Sequence, residues 1–230
     1  MTLLSINADA KTIKGQAYGY LTGVLCLAPH TLGGKPSICP FASPGCIASC
    51  LNTAGRGVFS SVQQARIRRT KAWRADPTAF VRRLAIEIRA LEKRAARMGL
   101  KPAVRLNGTS DIAWELTPII HLFPDVQFYD YTKDSSRMFA DLPANYHLTF
   151  SRSEKNDADV LPLLRAHKQV AVVFAGKTRP TLYLGYRVID GDRHDARFLD
   201  LRGVVIGLRA KGKAKHDTTG FVVRIGGIYA

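Results

Sequence analysis

The sequence predicts an α/β protein, a parallel β/α barrel that is partial or closed, with a β-rich segment closing it at the C-terminus. Three observations predict it. Short runs that are apolar along their whole length recur through the second half of the chain, segments of helical length and composition separate several of them, and chemically capable polar residues follow most of them. Strands that are apolar throughout and separated by helices belong to parallel sheets covered on both faces. The loops at their carboxyl ends converge on one crevice.

The 230 residues, 46% of them hydrophobic, are enough for one sizeable core. No repeat, low-complexity tract or long Pro/Gly/Ser linker separates autonomous units. We therefore expect one domain, with residues 1–181 as the barrel-like part and 182–230 as its closing segment. The barrel-like part contains a cysteine loop at 26–50 and basic helices at 60–98.

Residues 18–28 form an apolar, strand-like run, and a Gly/Pro-rich loop at 29–44 delivers the cysteines. Residues 60–73 and 77–98 read as helices. Asp76 is placed to cap the second, with Pro77 at its first position and Gly99 at its end. Phe80, Leu84, Ile88 and Leu91 recur at three or four residues, so one face packs while the arginines stay in solvent. Strand-like runs follow at 103–106, 126–129, 147–150, 170–174 and 204–208, with helical segments expected at 112–123 and 157–167. Beyond 182 the pieces shorten, separated by Asp190-Gly191-Asp192 and Gly226-Gly227, and are expected to close or cap the barrel.

The formal net charge is +16 and the pI about 10.0. Residues 56–101 carry thirteen Lys or Arg against three acids, over half of the net charge in a fifth of the chain. Arg66, Arg68, Arg69, Lys71, Arg82 and Arg83 are the candidate contacts to a polyanion, nucleic acid or nucleotide. Closely spaced cations release counterions from a phosphate backbone, and Arg fits phosphate bidentately. A solvated helix face is the alternative. No run of 18 apolar residues exists, and the opening MTLLSINADAKTIKGQ turns polar before a secretory core develops. The expected location is the cytosol of a bacterial host, with no membrane partner.

Three of the four cysteines fall within twelve residues, in CPFASPGCIASC. Secreted disulfide scaffolds spread their cysteines, whereas clustered thiols in a reducing compartment point to a metal. Cys39, Cys46 and Cys50 are the candidate metal ligands, because thiolates favour zinc or iron–sulfur clusters and Pro44-Gly45 bends the chain before the second sulfur. Structural zinc requires a fourth ligand, for which Cys26 and His30 are nearest. Three thiolates on a four-iron cluster leave one iron open for a substrate or cofactor. Three buried, chemically inert cysteines are the remaining reading.

The stretches CPFASPGCIASCLNTAGRG, VRLNGTSDIAWE, VQFYDYTK, YHLTFSRSE, VVIGLRAKG and HDTTGFVV resemble the gene-product-eighty-eight family carried by phages and plasmids. More distantly, clustered cysteines near the start of a β/α chain are similar to radical S-adenosylmethionine proteins, although the C-x6-C-x3-C spacing departs from the usual C-x3-C-x2-C. That resemblance implies a 4Fe-4S cluster on Cys39, Cys46 and Cys50 with S-adenosylmethionine on the open iron. By strand-end position, Asn107, Ser110, Asp111 and Glu115 are then the expected cofactor contacts. Asp130, Lys133, Ser151 and Glu154 are the expected catalytic groups lining a substrate pocket.

Asn52 to Gly57 is too weak a glycine pattern to be a nucleotide fingerprint. Asp190, Asp192, His194 and Asp195 read as a turn rather than a metal site. Lys211, Lys213, Lys215 and His216 form either a phosphate grip or a flexible basic loop. No Ser/His/Asp order or HExxH supports hydrolysis. Besides the iron–sulfur enzyme, two readings stand: a non-catalytic nucleic-acid-binding protein with structural zinc or a structural cluster, and a scaffold that binds a host protein.

Overall fold

A computed structural model describes residues 1–7 and 10–224. The chain is a mixed α/β protein around a nine-stranded, mostly parallel sheet. Strands β1 (Leu4–Ile6) and β2 (Tyr20–Leu25) flank helix α1 (Ala10–Lys14), and the loop after β2 contains the short helix α2 (Pro44–Ala48). Helices α3 (Ser60–Ala75) and α4 (Pro77–Arg97) lead into β3 (Lys101–Arg105), β4 (Gln127–Thr132) and β5 (Tyr146–Ser151). Then come α5 (Val160–Arg165), β6 (Val170–Phe174), β7 (Leu182–Tyr183), β8 (Tyr186–Asp190) and β9 (Val205–Arg209).

The sheet order is β1-β2-β3-β4-β5-β6-β9-β8-β7. Six strands, β2 to β6 and β9, lie side by side in chain order and run parallel, and β8 joins β9 in the same direction. The antiparallel pairs stand at the two ends, β1 on β2 and β7 on β8. The expected strands are thus present to within three residues at each end.

One sheet face forms the main core, where Leu21, Leu25, Val104, Phe128, Phe150 and Val172 share one cluster with the buried stripe of α4, which packs on β1 to β3. Asp76 caps α4 by accepting the Ala79 N–H at 2.8 Å, and Gly99 follows it at φ +65°, where a side chain would be strained. Leu84, Ile88 and Leu91 are fully buried, and each contributes about 1.5–3 kcal/mol through lost apolar exposure. This is the amphipathic face read from the sequence.

The other face carries buried polar groups beside a small apolar cluster of Ala171, Val204 and Ile206, and the segment between β8 and β9 covers part of it. Arg105 pairs with Asp195 at 2.9 Å, Tyr20 and Tyr129 pack on Phe198, and the Gln169 amide donates to the carbonyls of Arg197, Asp200 and Leu201. The two ends of the sheet order also meet. Lys11, before β2, reaches Asp192, after β8, at 3.0 Å, and the Tyr18 ring lies 4.5 Å from that of His194.

One expected helix is corrected. Residues 112–123 contain a single helical turn, Trp114–Leu116, because Asn107 captures the Ile112 N–H and carbonyl and the Trp114 indole, and Pro118 lacks the N–H a helix would need there. Residues 157–167 are helical as expected over all but the last two positions, as a 3-10 turn, Asp157–Asp159, that runs directly into α5. Asp190 to Asp192 leave β8 in a turn, as read from the sequence. Gly226-Gly227 lies outside the described residues. Among the described residues, no helix is long and apolar enough to cross a membrane.

Candidate metal centre

The cysteine loop leaves the carboxyl end of β2 and is pinned by the loops that follow β3 and β5. Ser43 caps α2 by accepting the Cys46 N–H at 3.1 Å, and Pro44 occupies the first helical position. Glu154, after β5, accepts the Ser43 hydroxyl and the Gly45 N–H, each at 2.7 Å. A carboxylate at a helix start satisfies donors that have no partner within the helix. A Cβ on Gly45 would collide with the Thr219 hydroxyl and lie 2.8 Å from Glu154 Oε2. Gly45→Ala is accordingly expected to cost about 1–3 kcal/mol in urea denaturation through overpacking; an unchanged midpoint would show that α2 shifts freely.

All four cysteines are free and half-buried. Cys39 Sγ accepts the His30 N–H at 3.3 Å and lies 3.7 Å from the Thr109 carbonyl. Burial pushes the Cys39 thiol up to about 12, and charge on Cys50 and Cys46 adds to the rise. Burial also raises Cys50; the Asn52 N–H opposes this, charge on Cys46 adds to it, and Arg66 and Lys133 oppose it. The three thiols therefore sit within electrostatic reach of one another. Cys26 packs under Gly108, where an added Cβ would stand 2.6 Å from its sulfur.

Among the described residues, no three His, Cys, Asp or Glu side chains form a group close enough to hold a metal ion. The donor chemistry nevertheless fits a thiolate-bound centre. Buried thiols with raised pKa values lose their protons when a cation compensates the charge. Backbone N–H groups aimed at sulfur, with Arg66 and Lys133 beside Cys50, favour the same state.

The other expected site residues surround this loop as a hydrogen-bonded wall. Lys133 Nζ donates to Ser151 Oγ at 2.7 Å and lies 5.5 Å from the centre of the Phe221 ring, while its backbone N–H reaches Asp111 at 2.8 Å. Asn107 Oδ1 accepts from Ser110, Ile112 and Trp114, and the Asn107 N–H donates to Asp130 at 2.6 Å. Asp111 and Glu115 both clasp Arg137, which donates to Glu115 through two nitrogens at 2.6 and 2.8 Å and to Asp111 at 2.8 Å. Glu154 joins the cysteine loop directly, and Lys133 with Ser151 stands beside it. Asp130, Asn107, Ser110, Asp111 and Glu115 build the supporting wall.

A family model described as Gene product 88 matches residues 2–225. The chain belongs to the Gene product 88 family. No curated protein and no solved structure matches it. The Gene product 88 match takes in the cysteine loop, both basic helices and every strand.

In this Gene product 88 chain the basic residues divide into two sets. Arg68, Lys71, Arg82 and Arg83 are exposed. Arg66 turns to the Asn52 side chain beneath the cysteine loop, and Arg69 donates to the Thr2 and Cys26 carbonyls. Arg74 gathers the carbonyls of Gly34, Lys35 and Pro36. Sequence reasoning missed Arg137, Ser43 and the anchoring role of Glu154. For Ser43 a signal existed, because Ser-Pro-Gly is an N-cap followed by a proline at the first helical position.

Proposed function

We propose that the protein holds a 4Fe-4S cluster on Cys39, Cys46 and Cys50 and is an iron–sulfur protein of radical S-adenosylmethionine type, acting on a nucleotide, nucleic acid or other phosphate-bearing substrate. The observation that carries this reading is the placement of three thiols, within electrostatic reach of one another, on the loop after the first of six parallel strands that adjoin in chain order. Such adjacency is characteristic of β/α barrels, whereas doubly wound sheets reverse their order at a switch point. It supports a partial barrel with the C-terminal segment closing it.

Cys39, Cys46 and Cys50 would hold the cluster, which when bound would pass an electron received from an external reductant to S-adenosylmethionine. The chain's own residues prepare that site. Glu154 fixes α2 and with it Cys46, and the N–H groups of His30 and Asn52 stabilise the outer two thiolates. Arg66 and Lys133 offset the negative charge of the ligand set. Lys133 with Ser151 offers a cation and a hydroxyl to an anionic substrate group, while Asn107 orders the 107–115 loop as the cofactor wall. The protein would act in the cytosol of its bacterial host, where pull-down from a host lysate tests for a host protein partner.

A second reading is favoured by the exposed Arg68, Lys71, Arg82 and Arg83: a non-catalytic nucleic-acid-binding protein whose thiols hold zinc or a structural cluster. Metal analysis separates the two. Anaerobically purified protein is expected to carry about four irons per chain, which Cys46→Ala loses while far-ultraviolet circular dichroism stays unchanged. The reduced holoprotein is expected to cleave S-adenosylmethionine to 5′-deoxyadenosine. Stoichiometric iron without cleavage would remove the S-adenosylmethionine part, and zinc without iron would establish the second reading in its place.

A further inference from the structure

Away from the cysteine loop, four cations converge on one carboxylate. Lys11 and Lys211 reach Asp192 Oδ1 at 3.0 and 2.9 Å. Arg179 reaches Oδ2 at 3.2 Å, and Arg209 approaches the same oxygen with its backbone N–H at 3.0 Å and its Nε at 3.5 Å. Asp190 adds one more negative charge, on Arg179 at 2.6 Å. Asp195 attracts Lys11 as well, and the like charges of Arg209 and Lys211, held this close, repel.

We infer that this cluster is a binding site for the phosphate group of a nucleotide or of a nucleic-acid backbone, with Asp192 positioning the cations from beneath. The Asp192 side chain is 7% exposed, whereas those of Arg209 and Lys211 are 49% and 48% exposed. The carboxylate is therefore largely covered while Arg209 and Lys211 face solvent. Arg209 borders a cleft of about 470 Å³, within the range of small-molecule sites, which Lys14, Tyr18 and Arg193 line together with Asp190 and Asp192. The guanidinium of Arg209 suits a phosphate bidentately, and the neighbouring lysine supplies a point charge. Tyr18 gives the group attached to the phosphate an apolar surface. None of these residues belongs to the cysteine site, so the inference holds whether or not a cluster binds there.

The test measures binding of adenosine 5′-monophosphate by calorimetry and of a short fluorescein-labelled single-stranded oligonucleotide by anisotropy, at low and moderate salt. Arg209→Gln/Lys211→Gln is expected to weaken binding by about tenfold or more. Arg165→Gln/Arg202→Gln, which removes the same charge from exposed positions preceding β6 and β9, is expected to leave it within about twofold. Arg193→Gln, from the opposite wall, is a second variant at an exposed position. Saturable binding of the mononucleotide identifies a free nucleotide as the ligand, and binding of the oligonucleotide alone identifies the phosphodiester backbone. Equal losses in the two double variants, or no saturable binding of either probe, would overturn the inference.

Discussion

Arg137→Met is expected to destabilise the protein by about 3–5 kcal/mol, read as a lowered midpoint in urea denaturation with an unchanged slope. The guanidinium holds two carboxylates from the loop after β3, Asp111 and Glu115, and also touches the Thr132 and Tyr146 hydroxyls. Its side chain is 9% exposed and those of the two acids 9% and 11%, so removing the cation strands two charges away from water. Burial works against the Arg137 charge, but hydrogen bonding to Glu115 and the pull of Tyr146 and Asp111 outweigh it and raise its pKa. Methionine keeps much of the packing volume, so the loss reports mainly the stranded charges. A cost below about 1 kcal/mol would mean that the acids reach solvent or take up protons without penalty. Because Asp111 also accepts the Lys133 N–H, the same variant is expected to loosen the Lys133–Ser151 contact beside the cysteine loop.

Arg137 also marks the limit of what the sequence discloses. Its partners lie 22 and 26 residues away in another loop, and no periodicity records a polar pairing between loops. The elements with a period were legible: the stripe of α4, its Asp76 cap, and the apolar runs that became β3 to β6 and β9. The cysteine loop was legible as a spacing of ligand types, and the structure adds the short helix that carries Cys46. Glu154 read as a catalytic group because it follows a strand, and its carboxylate accepts from Ser43 and Gly45 in a loop more than a hundred residues earlier. The basic run read as one electrostatic surface, but Arg66, Arg69 and Arg74 each find backbone or amide oxygens in the cysteine loop or its flanks. Charge composition measures attraction at a distance, and only packing decides which arginines remain available for it.

Asp130 is expected to make stability depend on pH in the direction opposite to an ordinary paired carboxylate. It is fully buried beneath the Asn107 loop, and burial raises its pKa from 3.8 to about 7 against the Asn107 N–H, Arg105, the Tyr146 hydroxyl and Arg137. The folded protein therefore keeps the Asp130 proton after the unfolded chain has released it. Its contribution is fully present below about pH 4, declines through the interval, and is gone above about pH 7, a change of about 4 kcal/mol. Asp130→Asn is the matched variant, since its amide oxygen can accept the Asn107 N–H and its amide nitrogen can donate to the Tyr146 hydroxyl. The difference between wild-type and variant unfolding free energies is expected to slope across pH 4–7 and to flatten outside it. A flat difference throughout would place the Asp130 carboxylate in an environment that solvates its charge, and a slope of the opposite sign would mean that Arg105 and Arg137 outweigh burial.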